Sequence, residues 1–390
     1  MFNFYFDTRH ISSAVYQFCI QIGNIIVEYL NYTYLAPAKV NFVLKIGEKN
    51  PANNLHYIFS IIRRVSVFDR ITFKINEDGN KLKVIPGKTI LKQLDKKELE
   101  EYADNLEKKL SDDDNLIIKA SNLFFNKINL KNKYINAAVE KNIPMQAGLG
   151  GGSSDAAGML NILNRIYNNP LNYDELNSIA VKLGSDVSFF LKEKDALVAG
   201  NGEIIIPIAE KSLKKYYIAV IVPKFGISTK AAYEAFDDLV LTKKINYYNI
   251  LNLNFSSKLD ILKNTNSANE SDSINAENYC EAVKLKDLND LSELGIGSEF
   301  ENDFEDVILD MYPVLKDIKN FTIQQRTDKK AKAEAGMLSG SGSAMFGVFK
   351  TAKDASAYIA DIENKTFSSQ IKFKFLGETD FKEKLNQLKS

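Results

Sequence analysis

Hydrophobic positions change rhythm several times along this chain, and each change marks a different element. Over residues 34–46 (YLAPAKVNFVLKI) the alternation of Val40, Phe42, Leu44 and Ile46 predicts a strand. Residues 61–75 (IIRRVSVFDRITFKI), rich in β-branched and aromatic types, predict a strand pair joined near Asp69 and Arg70. From Asp114 and Asn115 the spacing of Ile118, Leu123 and Phe124 becomes helical, and residues 135–140 return to strand. Past a run of glycines, Ala156, Leu160, Leu163 and Tyr167 share one helix face, widened by Ala157 and Met159. The predicted helix start is Ser153 or Ser154. A short helix over 173–183 and a hairpin over 197–206, turning at Gly200, Asn201 and Gly202, come next. A strand over 217–222 and a helix starting at Ser228 or Thr229 follow.

Three stretches interrupt this order. Residues 88–109, rich in Lys, Leu and Glu, predict an exposed helix, and residues 324–334 (QQRTDKKAKAE) the charged end of a surface helix. Residues 241–295 abound in Asn and Ser, and 264–278 (NTNSANESDSINAEN) has the composition of a disordered loop. At the N-terminus, residues 11–30 are apolar but broken by Gln17, Gln21, Asn24 and Glu28. They fall short of the about 20 strongly apolar residues a bilayer crossing needs. The basic start and small-residue cleavage site of a signal peptide are missing too. No internal repeat is visible.

A chain of 390 residues exceeds the usual size of one domain. The expected division is an extension over 1–33, a first domain over 34–215, and a second over 216–390 that carries the 241–295 insertion. Composition changes the picture little: 45% hydrophobic and 26% charged residues are an ordinary globular balance. Fifty basic residues against fifty acidic ones argue against a dominant nucleic-acid field. Cys19 and Cys280 make no disulfide framework and suit a reducing cytoplasm. His10 and His56 are too few for a His-based zinc centre.

The strongest chemical signal is AGLGGGSSDAA at 147–157. Gly150, Gly151 and Gly152 lack Cβ atoms, so the backbone there can curve around phosphate oxygens and point N–H groups at them. Ser153 and Ser154 can cap the helix and donate through their hydroxyls. The helix start adds a partial positive charge of about +0.5. Strand, glycine loop and helix thus stand in the order of an anion site. No Gly-Lys-Ser/Thr follows, so this is not a P-loop, and the run is too dense for a dinucleotide fingerprint. A second cluster, MLSGSGSAMFGVF at 337–349, can cradle a phosphate or let two strands approach closely.

Three ordered segments resemble the motifs of the small-molecule kinase superfamily that includes galactokinase, homoserine kinase and mevalonate kinase. They are APAKVNFVLKIG (36–47), IPMQAGLGGGSSDAA (143–157) and MLSGSGSAMFGVF (337–349). His56, VSVFDRITF (65–73), LGSDVSFFL (183–191), VPKFGISTKAAYEAFD (222–237) and NDFEDVI (302–308) extend the likeness over about residues 34–350. Within the superfamily they look like the branch that phosphorylates the 2-hydroxyl of a cytidyl-bearing methylerythritol in non-mevalonate isoprenoid synthesis. The resemblance implies a two-domain α+β kinase fold with ATP and acceptor meeting between the domains.

By the same resemblance Lys39 and Asp186 form the catalytic pair. Asp186 would take the hydroxyl proton, and Lys39 would hold Asp186 ionised and stabilise the transferring group. The resemblance sets ATP over Ala147, Gly148, Leu149, Gly150, Gly151, Gly152, Ser153 and Ser154, with Pro144 and Met145 alongside. It sets the acceptor against Asn41, His56, Gly340, Ser341 and Gly342. Mg2+ should accompany ATP, with Ser154 as a ligand and Asp186 reached through water. The branch usually has Tyr just before this His; Leu55 stands there instead, with Tyr57 on the other side. The alternatives are a kinase of the same fold acting on homoserine, a mevalonate derivative or a sugar, or a non-catalytic metabolite-binding protein. Nucleic acid and membrane are not expected partners, and oligomeric state is open.

Overall fold

The computed structural model describes residues 5–6, 32–110, 115–208, 213–243, 300–327 and 332–380. Two sheets, each with helices on its outer face, share a core between them. The first sheet is built on two long antiparallel strands, β1 (Tyr32–Lys49) and β2 (His56–Asn76). It continues through β3 (Lys81–Pro86) and β4 (Tyr134–Lys141), which pair parallel with each other, β4 lying against β2. A hairpin of β5 (Ala196–Ala199) and β6 (Ile204–Pro207) joins the other end of β2.

Helices α1 (Lys96–Leu110), α2 (Leu116–Lys127), α3 (Gly151–Ile166), α4 (Tyr173–Leu183) and α5 (Ser185–Leu191) follow these strands. α2 to α5 bury Phe124, Leu160, Ile179 and Phe189 against Ile71, Phe73 and Val139 of the sheet.

The second sheet is antiparallel, in the order β8 (Ala333–Leu338), β9 (Met345–Phe349), β7 (Tyr217–Pro223), β10 (Ile371–Glu378). Its outer face packs on α6 (Thr229–Lys243), α7 (Glu305–Met311), α8 (Pro313–Thr327) and α9 (Ala352–Ile362). Val40, Phe42 and Phe59 of the first sheet meet Val220, Phe346 and Phe373 of the second in one apolar layer. The two-domain α+β architecture expected from the sequence is therefore present. The segment Glu301–Asn302, far beyond the expected boundary at 216, crosses back to pair in parallel with Val43 and Leu44 of β1.

Several local expectations need correction. Residues 61–75 are not a pair: β2 runs unbroken through Asp69. That carboxylate accepts the N–H groups of Asn142 and Ile143 at 2.6 and 2.8 Å, so it needs no turn to be satisfied. The 88–109 stretch is two helices, Lys88–Leu91 and α1, and buries Ile90, Tyr102 and Leu106. The charged 324–334 stretch divides: 324–327 end α8, and Ala333 and Glu334 already belong to β8. Most of the 1–33 extension, most of the 241–295 insertion with its 264–278 tract, and both cysteines lie outside the described residues. No described helix is long and apolar enough to cross a membrane.

Candidate active site

The loop leaves β4 and enters α3 past Gln146 (φ +54°) and through two left-handed glycines, Gly148 (φ +73°) and Gly150 (φ +71°). Side chains at these positions would be strained and crowded. A Cβ on Gly148 would lie 2.0 Å from the Ser339 carbonyl, and one on Gly150 2.9 Å from both the Lys39 stem and the Phe190 ring. The helix starts at Gly151 with Gly150 as N-cap, not at Ser153 or Ser154, because the backbone turn itself opens it. Ser154 N is the first amide bonded within the helix, to Gly150 O at 2.9 Å. The amides of Gly151, Gly152 and Ser153 precede it and keep their donors for another acceptor. No acidic residue occupies the first turn to compete for them.

This helix start faces a cleft of about 550 Å³ between the two domains. Residues 143–153 line it without a break, joined by Lys39, Asn41, Asp186, Gly340 and Ser341. Lys39 Nζ lies 3.6 Å from Asp186 Oδ2, the lysine side chain 6% exposed and the aspartate 36%. Nζ also donates to Asn41 Oδ1 at 2.7 Å, Asn41 donates to Ser60 Oγ at 2.8 Å, and Ser60 donates to Val43 O at 2.6 Å. This chain fixes the lysine along β1. An ammonium has three donors, so a third is left for an incoming oxygen. The two glycine clusters are stitched together: Ser339 Oγ donates to Gly148 O at 2.9 Å and Ala344 N to Ala147 O at 3.1 Å.

Three expected residues do not line the cleft: Ser154, His56 and Gly342. Ser154 is 1% exposed, and its hydroxyl has no protein partner among the described residues. His56 is buried; its Nδ1 faces Gly47 O at 2.8 Å, and Nε2 lies 3.1 Å from Asp237 Oδ1. A carbonyl only accepts, so Nδ1 carries the proton. Tyr233 of α6, which does line the cleft, stacks on the His56 ring at 4.9 Å and 10°. Burial, then the charges of Asp186 and Asp237, push its phenol well above the usual range and keep it neutral.

Sequence reasoning missed Tyr233, although its segment was among those carrying the resemblance. It also missed a buried charge cluster under the loop. Lys141, at the end of β4, donates to Asp69 and, at 2.8 Å, to Asp155 in α3. All three side chains are at most 5% exposed. Burial, opposed by Lys141 and reinforced by Asp69, pushes the Asp155 carboxyl up to about 7. Its two carboxylate neighbours push Lys141 above its ordinary value despite burial.

The open amides, a lysine with a spare donor and an adjoining carboxylate can bind a polyphosphate and handle a hydroxyl proton. Residues 115–194 match the family described as GHMP kinases N terminal domain, and residues 281–368 match GHMP kinases C terminal. The chain is 31% identical over 338 residues to a 4-diphosphocytidyl-2-C-methyl-D-erythritol kinase of Chloroherpeton thalassium, covering 84% of this chain and 93% of that one. It is 30% identical over 256 residues to the protein of the same description from Fusobacterium nucleatum, covering 65% and 80%.

In fold it is similar to a solved 4-(cytidine 5'-diphospho)-2C-methyl-D-erythritol kinase, with TM-score 0.58, 22% identity and coverage of 89% and 98%. A homoserine kinase from Cytophaga hutchinsonii gives TM-score 0.56 at 14% identity, covering 90% and 94%. The chain belongs to the GHMP kinase superfamily, whose members transfer phosphate to small metabolites.

Proposed function

We propose that this protein transfers the γ-phosphate of ATP to the 2-hydroxyl of 4-diphosphocytidyl-2-C-methyl-D-erythritol. The observation that carries the reading is the meeting of Lys39 and Asp186, 3.6 Å apart, in the cleft that the α3 start faces. The curated relatives of that description support the choice of acceptor.

In this reading the amides of Gly151, Gly152 and Ser153 hold the phosphate tail, and Pro144, Met145 and Ala147 form the wall beside the nucleotide. Asp186 takes the acceptor's proton, and Lys39 donates its spare N–H to the transferring group. The donor set fits Mg2+, which takes few protein ligands beside phosphate oxygens and water. Asp186 lies in the cleft, and the Ser154 hydroxyl beneath it lacks a protein partner. When bound, the metal neutralises phosphate charge. At the other end Asn41 meets the acceptor's polar tail, and Tyr233, held by His56, supplies the stacking face that Leu55 cannot.

A coupled ATP-consumption assay with the cytidyl acceptor, checked by product mass, tests this. A product heavier by one phosphate is expected, and ATP turnover with every other acceptor but not this one overturns it. The position of His56, buried outside the cleft lining with Nδ1 against Gly47 O and Nε2 beside Asp237, favours a second reading, in which the acceptor of the same phosphotransfer is a small metabolite without a base. Homoserine, mevalonate derivatives and sugars in the same assay separate the two.

A further inference from the structure

The segment 301–305 (ENDFE) belongs to neither glycine cluster, yet it holds the second one in place. Asn302 is 6% exposed. Its Oδ1 accepts Phe304 N–H at 3.0 Å, and its Nδ2 donates to the carbonyls of Leu338 and Gly340, both at 2.8 Å. This network fixes the amide's orientation. A flipped side chain would set oxygen against two carbonyl oxygens and nitrogen against an N–H.

The consequence lies on the far side of the peptide. In a trans peptide the carbonyl and the following N–H point in opposite directions, and the Gly340–Ser341 bond is trans. With Gly340 O turned onto Asn302, the Ser341 N–H is turned away from it. That amide has no protein acceptor among the described residues, and Ser341 lines the cleft. Gly340 is close to the reacting end: a Cβ there would lie 3.3 Å from Lys39 Nζ and 3.6 Å from Asn41 Oδ1. The Ser341 hydroxyl lies 3.0 Å from that of Thr229, either being able to donate, whereas the backbone N–H can only donate. The backbone of Asn302 is itself registered opposite Leu44 on the strand that carries Lys39.

We propose that Asn302 is a positioning residue that aims the Ser341 amide at the phosphoryl group in transfer. It does so by holding the Gly340 carbonyl off the cleft. The inference rests on the phosphotransfer reading and adds a second donor beside the one supplied by Lys39.

The test replaces Asn302 with Leu, similar in bulk without a donor, and with Asp, the same shape without the amide. The 15N-labelled full chain is titrated with a non-hydrolysable ATP analogue and Mg2+. In the parent chain the Ser341 amide signal shifts together with those of Gly151 and Gly152. In Asn302→Leu the Ser341 shift disappears and the other two remain. In turnover, kcat falls about 10- to 100-fold, within or below the range for loss of one transition-state donor, and KM for ATP stays within about twofold.

A Ser341 signal that ignores the analogue in the parent chain overturns the proposal. So does one that shifts equally in both variants, or a joint loss of all three shifts together with thermal stability. Should the Leu variant fail to fold, Asn302→Asp reads the same points. Absence of transfer to any acceptor by the parent chain defeats the functional reading, while the amide titration still judges Asn302.

Discussion

Two lysines flank the same glycine loop, both buried, and they differ in the partners that surround the charge. Lys39 has one carboxylate, at 3.6 Å and 36% exposed, and a neutral amide as its nearest acceptor. Lys141 has two carboxylates in direct contact, all three groups sealed from solvent. A saturated, buried cluster is fixed, and a ligand gains nothing from it directly. An under-satisfied pair at a cleft can change partners when substrate arrives. The loop is thus anchored from beneath by one lysine, while the other lines the cleft above it.

Five substitutions sharpen or break that contrast. Asp186→Asn should lower kcat by about 10²- to 10⁴-fold, the usual worth of a general base, with an unchanged melting temperature. Near-normal transfer would end the assignment of Asp186 as the working carboxylate. Lys141→Met should act in the opposite way, costing about 3–5 kcal/mol of stability in urea titrations because two buried carboxylates lose their cation. If it unfolded at the parent's denaturant midpoint, the cluster would not be the anchor.

Tyr233→Leu should raise KM for the cytidyl acceptor by about 5- to 100-fold, equivalent to about 1–3 kcal/mol per stacked base, and leave KM for ATP alone. His56→Ala should follow it in the same direction. Equal small effects on both substrates would detach this end of the cleft from recognition.

The smallest effect concerns pH. Asp155 holds its proton up to about 7 in the folded chain and only to 3.8 as a free side chain. The folded state therefore binds more protons between those values, and this group's contribution to stability falls as pH rises through that window. Lys141 acts differently, its raised value contributing stability that is lost only above its ordinary range of 10.5. Asp155→Asn should flatten the decline between pH 4 and 7, so that the variant's stability relative to the parent rises across that window. Parallel stability–pH curves for the two proteins would sink the linkage.

Much of this was legible in order and spacing. The strand–glycine–helix succession announced a tight turn into a helix start, because Gly150 tolerates a left-handed backbone that other residues do not. The resemblance of three motifs pointed to Lys39 and Asp186, which the fold brings together from β1 and α5. What stayed hidden depends on contacts between distant segments. Periodicity could not reveal that β4, β2 and α3 each lend one side chain to the Lys141 cluster. It could not reveal either that Tyr233 of α6 lies flat on His56, because the two are 177 positions apart and share no local pattern. The helix start was misplaced by two or three residues because serines signal a side-chain cap, whereas a left-handed glycine does the turning here.

The return of Glu301–Asn302 to the edge of β1 has a further consequence for how the molecule is made. During synthesis the strand bearing Lys39 emerges early, but its neighbour at Val43 and Leu44 comes off the ribosome some two hundred and fifty residues later. The working strand is thus completed by a late arrival. Such long-range closure slows folding, and a chain halted after α6 would leave Val43 and Leu44 on a sheet edge still waiting for their partner.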